Sequence, residues 1–198
     1  MLRVAGRGAA HGDVRPPGLT WYLWSFGLLC HGGYISIPTM EIRPQRTRPS
    51  RNELLEIRGR TNILFVTVAS KIRAPVFNRE SVHQALLTAW TEADFWCVGG
   101  YVIMPDHIHF FCAPGRYPPT PLRPWVQYWK RLLTQSGAIT WKGDTWLPDC
   151  WDTQIRNGRH YTEKWAYVWE NPVRAGLVDR AEDWPWQGEV NVLEWHGP

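Results

Sequence analysis

The sequence predicts an α+β fold: an antiparallel sheet of four to five strands with helices packed on one face, of ferredoxin-like character. Strand-forming runs at residues 62–69, 95–103 and 108–113 alternate or cluster β-branched and aromatic side chains. Segments 82–93 and 124–136 instead carry apolar residues at helical spacing. The resulting order is strand, helix, strand, strand, helix, strand, helix, which suits a sheet that buries its apolar side under helices.

Composition agrees with one folded domain. A chain of 198 residues holds a single proper core, and 44% hydrophobic with 20% charged residues are globular values. The net charge of +4 leans mildly toward an anionic partner. Fourteen tryptophans supply flat surface either for the core or for stacking on bases. The four cysteines, Cys30, Cys97, Cys112 and Cys150, lack CxxC spacing, so no zinc ribbon or dithiol motif is expected. A reduced, cytoplasmic setting follows from that usage.

Residues 1–57 are expected to be an N-terminal extension and basic arm, poorly ordered. The apolar run from Leu19 to Cys30 is too short to span a bilayer, which takes ~20 residues. Met40 reads as a candidate start. Between residues 40 and 60, Arg43, Arg46, Arg48, Arg51, Arg58 and Arg60 form either a solvated linker or an arm that tracks phosphates. The folded domain then covers residues 58–187, and residues 188–198 form a C-terminal tail.

Within that domain the first strand, 62–69, is a run rich in β-branched residues that reads as a central strand. Ser81 is expected to cap a helix with Val82, Leu86, Leu87 and Trp90 on one face. The second strand, 95–103, is interrupted near Gly99-Gly100. Met104-Pro105-Asp106 makes the turn of a hairpin. After a proline-rich connection from Pro114 to Pro124, the second helix carries Trp125, Tyr128, Trp129, Leu132 and Leu133 on a stripe. Residues 151–156 read as a fourth strand. A third helix runs from Arg159 to about Glu170, then Asn171-Pro172 interrupts the pattern and Val173 to Val178 form a short turn. From Trp184 onward the chain reads as loop.

The hairpin contains the chemistry. Side chains alternate along a strand, so His107 and His109 share a face while Ile108 points behind it. Two imidazoles about 6–7 Å apart at ~3.3 Å rise per residue suit joint ligation of one divalent cation. An isolated His-x-His is also what the wet face of an ordinary strand carries. Tyr167 and Asn171 are one helical turn apart and project from the same face. The Asn oxygen is an acceptable third donor for Mg²⁺ or Mn²⁺. A tyrosine oxygen beside such a cation can attack a polarised phosphorus. The plainer alternatives are a core aromatic for Tyr167 and a helix-ending residue before proline for Asn171.

The segments MPDHIHFF, TWLPDCWDTQIRN and YTEKWAYVWENPVRAGLV, in that order, resemble the single-tyrosine HUH transposases, and among them the REP-associated tyrosine transposases. The resemblance covers roughly residues 58–187. It implies cleavage and rejoining of single-stranded DNA, often a hairpin-forming repeat, through a 5′-phosphotyrosine intermediate. By the family pattern the HUH element falls on His107-Ile108-His109, the nucleophile on Tyr167 and the third metal ligand on Asn171, with Mg²⁺ or Mn²⁺ as cofactor. Trp165 and Trp169 beside the tyrosine, the proline-rich loop and the N-terminal extension depart from that pattern.

Lys130, Arg131, Arg156, Arg159 and Arg174 are then expected to neutralise DNA phosphates, Arg156 and Arg174 foremost because each lies in a matching segment. The alternative for each is scattered surface charge. Expected partners are single-stranded or hairpin DNA and no membrane, with monomer and homodimer both open. Two other functions fit the same residues: a DNA-binding protein of this fold without turnover, and a His-dependent phosphoesterase without a covalent step.

Overall fold

The computed structural model describes residues 62–71, 73–139 and 145–193. The expected extension and arm, the Met40 start and residues 194–198 of the tail lie outside the described residues. Strand β1 spans Leu64–Ala69, helix α1 Glu80–Glu92, β2 Trp96–Ile103, β3 His107–Pro114 and α2 Leu122–Gln135. Strand β4 follows at Trp151–Gln154, then α3 at Gly158–Trp169, α4 at Asn171–Arg174, a 3₁₀ turn at Ala181–Asp183, and β5 at Gln187–Glu189. The fold class is the expected α+β arrangement, and the five-stranded antiparallel sheet has the order β4-β1-β3-β2-β5. The strand carrying the His pair is therefore central.

Strand alternation sorts the core into two layers. Leu64, Val66 and Val68 of β1 join Ile108, Phe110 and Cys112 of β3 beneath α1 and α2. Trp90, Trp125, Trp129 and Phe110 meet there in tilted and edge-to-face pairs, the arrangement favoured by ring quadrupoles. On the opposite face, Ile63, Phe65, Phe111 and Ala113 pack with Val168, and Tyr161 and Trp165 lie against them. Helices thus cover both faces, where the sequence suggested one. The cause is visible in β3, whose HFFCA stretch is apolar on both sides and cannot leave either wet.

Several local expectations shift. Helix α1 begins at Glu80 with Arg79 as an N-cap lacking a side-chain hydrogen bond, so Ser81 lies inside the helix rather than capping it. Helix α2 starts at Leu122, which puts Pro124 in its first turn, where a missing N–H costs nothing. Strand β2 continues through Gly99-Gly100, with its register to β3 shifting between Val98 and Tyr101. A Cβ on Gly100 would come within 2.8 Å of the Trp165 ring, and one on Gly99 within 2.6 Å of Leu193. Glycine there is required by close approach of α3 and of the C-terminal segment. That segment also supplies β5, so the expected tail begins as an edge strand; three residues centred on Gly188 are too few to show alternation.

Candidate active site

Both histidines stand on the α3 side of the sheet, at the Met104-Pro105-Asp106 hairpin end of β3. The hairpin is closed by a hydrogen bond from the Met104 N–H to the His107 carbonyl, 2.8 Å. The two imidazole centroids are 4.6 Å apart and nearly perpendicular, at 78°. Each ring is held at Nδ1. His107 Nδ1 lies 2.6 Å from Asp106 Oδ1, whose other oxygen accepts from Arg73 at 3.3 Å. His109 Nδ1 lies 2.8 Å from Thr67 Oγ1, the residue opposite it on β1. Phe65 stacks on the His109 ring at 5.4 Å and 26°. Asp106 accepts, so Nδ1 of His107 donates to it. In the matching tautomer of His109, Nδ1 donates to Thr67 Oγ1 and Nε2 is the atom presented to a metal, the way outer partners orient metal-binding imidazoles.

The electrostatics favour a neutral His109. It is only 9% exposed. Burial first, then the charges of His107, Arg174 and Lys164, push its pKa down to about 3 against the opposing pull of Asp106. For Asp106, partial burial pushes the carboxyl up, but the hydrogen bond and charge of His107, and then those of Arg73, hold it below the usual carboxylate range. It stays an anion and an acceptor at neutral pH.

Arg174 ties the helical half together. Its guanidinium lies 4.0 Å from the Tyr167 ring centroid, and it donates to Asn171 Oδ1 at 2.7 Å and to the Tyr167 carbonyl at 2.5 Å. Tyr167 itself is 57% exposed, which leaves its hydroxyl accessible. Lys164, one turn earlier on α3, sits 5.5 Å over the Phe65 ring that stacks on His109. The charges of Arg174 and Lys164 both reach His109, which brings the α3–α4 junction and the His pair into one electrostatic neighbourhood.

The donor set fits a hard divalent cation. Two imidazoles and one amide oxygen are suitable ligands, and ligation requires the neutral ring. Among the described residues no group of three or more His, Cys, Asp or Glu could hold a metal. Asn171 is the amide donor that the sequence offers as a third ligand. Its oxygen is shared with Arg174.

The basic residues divide. Arg156 and Arg159 flank the start of α3 and Arg174 ends α4, all three exposed. Lys130 is a correction: it is 3% exposed, donates to the Leu147 carbonyl at 3.0 Å, and lies over Trp146. A lysine stem buried along an apolar helix face leaves no ammonium for a phosphate. Arg131 is exposed but sits on α2, in the layer on the far side of the sheet, with its guanidinium over Tyr128. Thr67, Asp106 and Lys164 were not singled out beforehand. Thr67 was signalled by being the one polar residue within an apolar strand, and Lys164 by lying one turn before Tyr167.

No family model matches the chain. Over 88 residues it is 26% identical to the REP-associated tyrosine transposase of Escherichia coli strain K12, a stretch that covers 44% of this chain and 51% of that protein. The match therefore spans about half the length of that curated relative. Superposition on the structure of a REP-associated tyrosine transposase bound to a REP hairpin gives a TM-score of 0.58 at 19% identity, covering 71% of this chain and 82% of that one. The chain is similar to the REP-associated tyrosine transposases in sequence and in fold. Like the transposase superposed on it, it builds an α+β domain around an antiparallel sheet, and the candidate site occupies one face of that sheet. Among the described residues, no helix is long and apolar enough to cross a membrane.

Proposed function

We propose that this chain is a DNA nicking and strand-transfer enzyme of the transposase type. It acts on single-stranded or hairpin DNA and passes through a 5′-phosphotyrosine on Tyr167. The observation that carries the reading is an Nδ1-anchored His pair on the sheet face that α3 covers, with the exposed Tyr167 near the C-terminal end of that helix held by Arg174. The sequence likeness to a named transposase supports it.

His107, His109 and Asn171 would hold one Mg²⁺ or Mn²⁺, which when bound supplies Lewis-acid polarisation of the scissile phosphate. The remaining chemistry belongs to the chain. Tyr167 Oη forms a bond to phosphorus, the bond from phosphorus to the 3′-oxygen breaks, and that oxygen leaves to become a 3′-hydroxyl as the tyrosyl proton is lost. Attack by a second 3′-hydroxyl reverses the sequence and restores the tyrosine. Arg174 orients the Tyr167 ring and can bind the phosphate beside it, and Arg156 and Arg159 supply charge along the strand.

The test uses labelled hairpin DNA with Mn²⁺, resolved on a denaturing gel. Wild type is expected to form a covalent adduct and Tyr167→Phe to form none while still binding the DNA. Full attachment by that variant overturns the assignment. A non-catalytic hairpin-binding protein is the second reading, favoured by the hold that Arg174 has on Asn171 Oδ1. It predicts salt-dependent binding without an adduct under any metal. Metal-dependent cleavage that survives Tyr167→Phe but not loss of His107 would instead mark a phosphoesterase.

A further inference from the structure

A groove of about 420 Å³ opens beside the N-terminal half of α3, lined by Thr153 of β4 together with Arg156, Arg159, His160, Glu163 and Lys164. Sheet register connects it to the His pair. In antiparallel strands, residues opposite one another point to the same face. His109 is opposite Thr67, and Thr67 is opposite Trp151, so all three side chains stand on one face in a row across β3, β1 and β4. Two strand spacings put the Trp151 backbone about 10 Å from that of His109. Thr153 follows two residues later on that face, opposite Phe65, over which Lys164 lies.

Trp151 is 41% exposed on the edge strand. Arg174 covers Tyr167 and Arg116 covers Phe95, another exposed aromatic. No ring or cation among the described residues covers Trp151. The neighbouring charge is mainly positive. Arg159 is paired with Glu163 at 3.5 Å, which leaves Arg156 and Lys164 as the uncompensated cations of the groove. Their charges converge on His160, whose pKa is lowered by burial first and then by Lys164 and Arg156.

We infer that Trp151 and the α3 groove form a nucleotide subsite: the indole stacks on an unpaired base next to the scissile position, and Arg156 and Lys164 hold the phosphate beyond it. The nature of the ligand, single-stranded DNA, rests on the proposed function. The geometry of the subsite does not depend on catalysis. An aromatic with a free face beside a cationic groove is the general means of holding an unpaired strand without reading its bases. A strand laid from His109 over Thr67 and Trp151 runs along the sheet face toward the groove, so the subsite would set which phosphate reaches Tyr167.

The test is binding without metal. Fluorescein-labelled oligo(dT) of about 20 nucleotides is titrated with the full chain in EDTA, with the same oligomer annealed to its complement as a control. Trp151→Ala is expected to weaken single-strand binding by roughly 5- to 150-fold, the range for loss of one stacked base, and Trp151→Phe to restore most of it. Arg156→Gln and Lys164→Gln should each lower the salt slope of log Kd by about one, with little dependence on sequence. On hairpin DNA with an unpaired flank, where the duplex fixes the register, single abasic substitutions walked along the flank should reveal a position that costs affinity in wild type and nothing in Trp151→Ala. Trp151→Ala binding within twofold of wild type, or no such position, overturns the inference. Adduct formation is scored separately on hairpin DNA: a variant that binds weakly yet still forms adduct at saturating DNA supports the subsite. Absence of adduct in wild type with intact Trp151-dependent binding refutes only the catalytic reading.

Discussion

The guanidinium of Arg174 lies 4.0 Å from the centre of the Tyr167 ring and donates 2.7 Å to the amide oxygen of Asn171. One cation thus engages both the would-be nucleophile and the would-be third metal donor, and its charge helps push the pKa of His109 down. Three groups with separate proposed tasks share one positive neighbour.

That sharing makes Arg174 a restraint on metal binding. Arg174→Gln should tighten Mn²⁺ by about tenfold, because a like charge beside the site is lost and Asn171 Oδ1 is released. The same variant should bind single-stranded DNA more weakly. Isothermal titration with Mn²⁺ and a DNA filter-binding assay read the two effects, and movement of both in the same direction contradicts the arrangement.

The anchor beneath His109 is also open to test. Thr67→Val keeps the shape of the side chain and removes Oγ1, so the imidazole loses its 2.8 Å partner. Mn²⁺ affinity should fall by about 10- to 100-fold, the usual cost of losing an outer partner of a metal-binding histidine. Stability should drop by only about 1–3 kcal/mol for a buried group left unsatisfied. Affinity equal to wild type would show that Thr67 does not orient the ring.

Close approach at Gly100 makes a mechanical prediction. Gly100→Ala sets a Cβ 2.8 Å from Trp165, and α3 has to move away. Urea denaturation should show a loss of about 1–3 kcal/mol, typical of overpacking. In a Gly100→Ala, Trp165→Leu double variant the two losses should not add, since the smaller side chain relieves the clash. Simple additivity would mean that the two residues do not press on each other.

Lys130 gives the alkaline pH dependence a sign. Burial, opposed by the nearby Cys150 and Asp149, lowers its pKa from 10.5 to about 8. The unfolded chain therefore binds more protons between those values, and this group's contribution to stability rises as pH increases from about 8 to 10.5. Below pH 8 the charged, buried ammonium costs its full amount. Lys130→Met should accordingly be more stable than wild type at pH 7.5, with the advantage shrinking toward pH 10.5, as measured by urea titrations across the range. A difference that is constant with pH would show that the ammonium is not strained by burial.

Much of this arrangement was legible in the residues. The alternation that sends Ile108 into one layer and His107 and His109 to the other is a property of strand geometry, and Ile108 is fully buried on the side of α1 and α2. The βαββαβ order likewise follows from where apolar periodicity changes from two to three and a half. Lys130 escaped because charge in a sequence says nothing about which way a long stem runs, and here the stem follows the stripe of Trp129 and Leu133 inward. Strand β5 and the second helical layer escaped for a different reason. Each depends on a long-range contact, β5 on the exposed edge of β2 and α3 on the space left by Gly100, and neither leaves a local pattern.

The position of β3 at the centre of the sheet has a kinetic meaning. Its amides are bonded to a strand on either side and its side chains are buried on both faces, so they should exchange with solvent only when the whole domain unfolds. Helix α3 has only Val168 fully buried, and its amides should open in smaller excursions. Hydrogen exchange would then divide the site in two, with the histidines on a strand as slow to open as the fold itself and the tyrosine on a helix that opens more readily.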